Sequence, residues 1–154
     1  MRTRHTIYVI TPADGFIWVR HISSFSNSAL GKEIGCQGVS SLPVEGEHIV
    51  YYDDEGLRDG IDHYFQLEGH PDPLVGKLLI ASTRFDRPTL SLESIASKFT
   101  LYKPVIDPII KSTQTVVDDL RLYINGVDGF SARIISVDIQ IPRSAGYSEY
   151  NLVP

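Results

Sequence analysis

Apolar residues fall along this chain in short bursts. Residues 7–10 and 16–22 are rich in β-branched and aromatic side chains, with Pro12, Asp14 and Gly15 between them. Glycine tolerates the positive φ of a tight turn, so Asp-Gly between two such runs predicts a β-hairpin. A serine-rich start, then Phe25, Ala29, Leu30 and Ile34 with Gly35 behind them, predicts a short helix, which Gly31 weakens. Residues 39–44 and 47–52 read as strands on either side of Glu45-Gly46. Ile61, Tyr64 and Phe65 suit one helical turn. Glu68 to Pro73 reads as a loop, because two prolines fix φ and remove donors. Residues 74–82 then read as a mostly buried strand, with Gly76 as a bulge or close-approach point.

Helical spacing dominates the second half. Ser91 caps a segment with Leu92, Ile95, Ala96 and Phe99 on one face. Asp107-Pro108 has the form of an N-cap followed by a first-turn proline. Ile109, Thr113, Val116, Val117, Leu120 and Ile124 follow at helical intervals until Asn125-Gly126, which predicts a long helix over 108–124. Asp128-Gly129 predicts a turn. Ile135, Val137, Ile139 and Ile141 alternate with polar residues, so 133–141 is predicted as a strand that Pro142 ends. Strands early and a long helix late predict an α+β fold: a mostly antiparallel sheet with two to three helices in a single compact domain over 1–142. Residues 143–154 have no period and read as a loose tail.

Hydrophobic residues at 42% and charged residues at 21% place the chain among globular domains. A net charge of −5, with Arg and Lys scattered singly, argues against a nucleic-acid partner, which needs a basic stripe. The apolar run at the start is too short for a membrane span. The single cysteine, Cys36, excludes an internal disulfide and a Cys-rich zinc site. A cytoplasmic protein without a membrane partner is expected.

The densest chemistry lies in residues 51–65. Asp53, Asp54, Glu55, Asp59, Asp62 and His63 put five acids and an imidazole within eleven positions. Oxygen and nitrogen donors so close together raise a divalent metal, or acid/base work by Asp59, Asp62, His63 and His70. The spacing matches neither a calcium loop nor a His-Glu-x-x-His helix. Asp and Gly are also ordinary turn residues, so the expectation is no metal and no cofactor. Cys36 follows a helix C-terminus, where nothing lowers its pKa. A phosphate loop at Leu30-Gly31-Lys32-Glu33 and a nucleophile elbow at Gly129 both lack required residues. Tyr51, Tyr52, Tyr64 and Phe65 surround the acidic turn, and Tyr147 and Tyr150 lie further on. Tyrosines beside acids suit a binding surface, and alternate ones suit a core.

Several features of the first 85 residues recur together: the Ile7-Tyr8-Val9-Ile10 strand, the glycine pair in Gly35-Cys36-Gln37-Gly38, the strand ending Tyr52-Asp53-Asp54-Glu55-Gly56-Leu57, and Asp72-Pro73-Leu74-Val75-Gly76-Lys77. This order resembles a small family of uncharacterised domains carried by phages, plasmids and their bacterial hosts. Members typically carry an Asn in the loop that here reads Asp59-Gly60-Ile61-Asp62-His63. The resemblance stops at residue 85 and implies a mobile-element accessory protein with no activity to transfer. The expectation is a non-enzymatic domain that binds a protein or a small molecule. The alternative is a metal-dependent hydrolase using the Asp53–His70 region. Capture of an anionic nucleotide would require Arg20, Lys32, Lys77 and Arg84 to converge. An open edge along 135–141 would favour a homodimer.

Overall fold

A computed structural model describes residues 4–58 and 60–143. The proposed tail from Ser144 onward, with Tyr147 and Tyr150, therefore lies outside the described residues, as does Asp59.

β1 (His5–Thr11) and β2 (Phe16–Ile22) pair from Thr11↔Phe16 out to His5↔Ile22, the hairpin that Asp-Gly predicts. The Asp14 carboxylate accepts from the Phe16 amide at 2.9 Å and fixes the turn. β3 (Val39–Val44) and β4 (His48–Asp53) form a second antiparallel pair. β6 (Leu78–Ser82) joins the two hairpins, which gives the strand order β2-β1-β6-β4-β3. β6 is buried at all five positions because both faces of the sheet are covered. Leu78 and Ile80, with Ile10, Ile17 and Val50, point to one face; Leu79 and Ala81, with Ile7 and Val9, point to the other.

α1 (Asn27–Ile34) covers the second of these faces through Leu30 and Ile34. Ser26 caps it by accepting from the Ala29 amide at 3.2 Å, and Gly35 ends it at φ 87°. Gly31, the weak point of the sequence pattern, has a packing reason. A Cβ there would lie 2.6 Å from the Cys36 carbonyl oxygen, so the chain can fold back only over glycine. Lys77 donates to the Glu33 carbonyl at 3.1 Å and satisfies an acceptor in the last turn.

The first face packs on α2 (Leu92–Ala96) and on the root of a second sheet, with Phe65, Leu67, Ile95, Phe99 and Leu101 filling the space between. That sheet has the order β5-β7-β8, with β5 (Tyr64–Leu67), β7 (Phe99–Val117) and β8 (Leu120–Asp138).

Here the sequence expectation fails. The fold is mostly antiparallel β in two sheets, not α+β, and the described residues contain two short helices of 8 and 5 residues. The predicted helix over 108–124 does not exist. Its residues belong to two 19-residue strands, joined at Asp118 and Asp119. Both aspartates have positive φ, 51° and 66°, as a two-residue type I′ hairpin turn requires. Ile109, Ile110, Thr113, Thr115, Val116 and Val117 are stiff at χ1 and fit a pleated strand better than a helix. The strand predicted at 133–141 begins much earlier, at Leu120, and ends at Asp138. The helical turn expected around Ile61 and Phe65 is instead β5.

Candidate functional site

β5 pairs with β7 only from Leu67↔Phe99 to Tyr64↔Tyr102. Beyond Tyr102, β7 and β8 continue as a two-stranded arm, almost wholly exposed, to the turn at Asp118-Asp119. At ~3.3 Å per residue, the fifteen residues after Tyr102 extend roughly 50 Å. Lys103 anchors the base by donating to the Ala13 carbonyl at 2.8 Å.

Cross-strand partners share a face, so the register shows what each face carries. Four successive pairs on one face are apolar: Pro104↔Ile134, Ile106↔Ala132, Pro108↔Phe130 and Ile110↔Val127. The opposite face along this stretch is mixed, with Val105 and Ile109 beside Asp107, which accepts from Arg133 at 3.1 Å. The register slips between Ile109 and Ile110. Past that bulge the pattern inverts. The first face now carries Ser112↔Asn125, Gln114↔Tyr123 and Val116↔Arg121, a mixed set, and the other carries Thr113↔Ile124, Thr115↔Leu122 and Val117↔Leu120. Ser112 donates to Asn125 across the strands. The arm thus has a proximal apolar patch on one face and a distal one on the other.

The residues singled out in the sequence are placed elsewhere and mostly occupied. The Asp53 carboxylate accepts from the Glu55 amide at 2.9 Å, and its carbonyl accepts from Gly56. The Asp54 amide donates to the Gly38 carbonyl at 3.2 Å, and Arg58 pairs with Glu55 at 3.4 Å. These bonds fold residues 53–58 into turns. His63 lies beside Asp62, with Nδ1 2.6 Å from its carboxylate, while Nε2 accepts from the Gly76 amide at 2.9 Å. An acceptor at Nε2 requires the proton on Nδ1, so the ring is a neutral clamp between two loops with both nitrogens engaged. The His63 hydrogen bond holds the Asp62 carboxyl below its usual range. His70 stands beyond the other end of β5, its amide donating to the Leu67 carbonyl at 3.0 Å. Among the described residues, no three His, Cys, Asp or Glu side chains gather in a way that could hold a metal ion.

The Cys36 thiol donates to the Gly38 carbonyl at 3.3 Å. Burial, then the carboxylates of Asp53 and Asp54, push its pKa up, which disfavours a nucleophilic thiolate. The cations do not assemble into an anion site as a group. Lys77 is committed to α1, and Arg84 pairs with Glu47 at 3.6 Å and lies over the Phe85 ring. Of the four aromatic candidates, Phe65 is fully buried and Tyr52 packs against the same core. Tyr64 stacks on Tyr102 with ring centroids 4.8 Å apart. Tyr51 stacks on Phe25 and helps line an open cleft of about 420 Å³ with His5 and Arg84. Sequence reasoning missed the arm. The density of Ile, Val and Thr in 105–117 and the Asp-Asp step were the signals that could have revealed it.

The comparisons with known proteins add relatives but no activity. Over 80 residues the chain is 34% identical to the uncharacterized protein y4iR of Sinorhizobium fredii, a match covering 49% of this chain and 50% of that protein. Over 105 residues it is 22% identical to protein PsiB of Rhizobium leguminosarum bv. phaseoli, covering 66% of this chain and 78% of that one. The chain thus spans half the length of y4iR. No family model matches the chain. No solved structure matches it either. No helix among the described residues is long and apolar enough to cross a membrane.

Proposed function

We propose that the chain is a non-enzymatic protein-binding module, an accessory protein of mobile-element type, and that the β7–β8 arm is its binding element. The observation that carries this reading is the arm's exposed apolar surface. Twelve of its large apolar residues, from Ile106 to Ile134, are 43–71% exposed. Soluble monomers rarely leave contiguous apolar patches of more than ~300–600 Å² uncovered, and larger ones mark interaction sites. The likeness to the two rhizobial proteins supports the accessory role. The side chains of Asp53, Glu55, Asp62 and His63, engaged in turn and loop bonds, favour this reading over the hydrolase.

The test is a photo-crosslinking residue at Phe130, with a matched one at exposed Leu57 on the body, in the cell that produces the protein. The arm position should give a discrete protein adduct and the body position none. An arm position that yields no adduct would refute the reading.

A further inference from the structure

We infer that the occupant of the arm is a second copy of this chain, laid antiparallel so that each proximal patch covers the other's distal patch. The inference rests on the protein-binding reading and names its partner. The patch pattern is its first support. In a two-fold dimer, if patch i meets patch j then j meets i, so one arm must present two distinct apolar regions. This arm does, with Ile106, Phe130 and Ile134 near its base and Val117, Leu120 and Leu122 near its tip. The two regions lie on opposite faces of the ladder. The arrangement requires the right-handed twist of a two-stranded ribbon, which a bulge such as that at Ile109/Ile110 increases, to bring those faces towards a common side.

The area is the second support. Nine of those twelve side chains lie in the two patches, on the order of 1,000 Å² per arm, against ~800 Å² per partner in a standard interface. The edges give a third. A proline in a strand sits only where its missing N–H points off the ladder, so Pro104 and Pro108 remove donors from the outer edge of β7. A bulge interrupts β8. Both devices discourage an added strand and leave the faces to be covered. Charge agrees with the direction. The tip carries Asp118, Asp119 and Arg121 and the base carries Lys103, Asp107 and Arg133, so antiparallel stacking sets a tip of net negative charge beside a base of net positive charge.

Sedimentation equilibrium of the full chain, with hydrogen exchange on the same sample, tests this. The expected result is a mass twice 17.2 kDa, with slowed exchange in 104–134. Phe130→Asp should weaken the dimer by at least about tenfold without lowering the melting temperature of the dilute chain, since it places a charge at the centre of a desolvated patch. A chain that stays monomeric at high micromolar concentration overturns the inference. If its arm amides then exchange fast, the arm is free for a different protein and the binding-module reading survives. If they are protected in the monomer, the arm packs on its own body and both readings fall. Mixed Leu122→Cys and Phe130→Cys chains, each with Cys36→Ser, should cross-link to one another faster than either does to itself. Faster self-linking would overturn the antiparallel arrangement.

Discussion

β6 and the arm both carry branched apolar residues on their two faces and meet opposite fates. β6 reads Leu-Leu-Ile-Ala-Ser and has no exposed position, because α1 closes one face and α2 with the second sheet closes the other. The arm runs Ile-Ile-Lys-Ser-Thr-Gln-Thr-Val-Val in β7, and none of the described residues covers either face. Composition therefore does not decide burial. In β6, apolar residues on both faces are a consequence of two cover layers. In the arm, exposed apolar residues have no cover among the described residues, which is why the arm is read as contact surface.

The sharpest way to break this comparison is to remove the same atoms from each region. Ile80→Ala deletes a fully buried side chain at the centre of the sheet and should cost about 2–5 kcal/mol, measured as a lower urea midpoint at unchanged slope. Ile110→Ala in the arm, at a concentration where the chain is monomeric, should stay within about 0.5 kcal/mol. Equal losses at the two sites would mean that the arm is packed in the monomer.

The contrast also explains which parts of the fold were legible. Strands β1 to β4 and both short helices could be read because each local signal agrees with its surroundings. Asp14-Gly15 makes a turn, Ser26 and Ser91 cap, and Gly35 ends a helix. The arm was illegible because strand periodicity shows only when one face is apolar and the other polar. With its apolar side passing from one face to the other, Ile109, Thr113, Val116, Val117, Leu120 and Ile124 also fall at helical intervals. Asp107-Pro108 and Asn125-Gly126, which look like helix start and stop, turn out to lie inside strands. The candidate site suffered similarly. Acids and histidines could be found by eye, but only the folded chain shows that Asp53, Asp62 and His63 spend their polar atoms on turns and loops.

A second comparison concerns polar groups. His48 is 3% exposed, with Nδ1 2.9 Å from the Glu45 carbonyl, while Nε2 accepts from the Thr89 amide at 3.1 Å. It pins the segment before α2 onto the first sheet. His48→Ala deletes a buried ring together with its hydrogen bonds to the Glu45 carbonyl and the Thr89 amide and should cost about 1–3 kcal/mol, with faster amide exchange at Thr89 and Leu90 as the local signature. Retained protection there would show that the segment is held by other means.

The smallest effect concerns charge. Lys98 bonds to the Glu45 carboxylate in the body, and Arg133 to Asp107 in the arm. The two pairs differ in setting: the Lys98 side chain is 16% exposed and that of Arg133 is 64%. The Lys98 hydrogen bond, and then its charge, hold the Glu45 carboxyl below its ordinary value of 4.5. A depressed carboxyl pKa contributes stability that is fully present above the ordinary value and lost as pH falls through the folded one. Lys98→Met should therefore lower the melting temperature slightly near neutral pH, and the gap from the parent should close as pH falls below 4.5. Arg133→Met should leave the monomer's melting temperature unchanged at every pH, because exposed pairs contribute little. A gap for Lys98→Met that widens in acid would reverse the sign and show that the ammonium's own burial, rather than its partner, sets the balance.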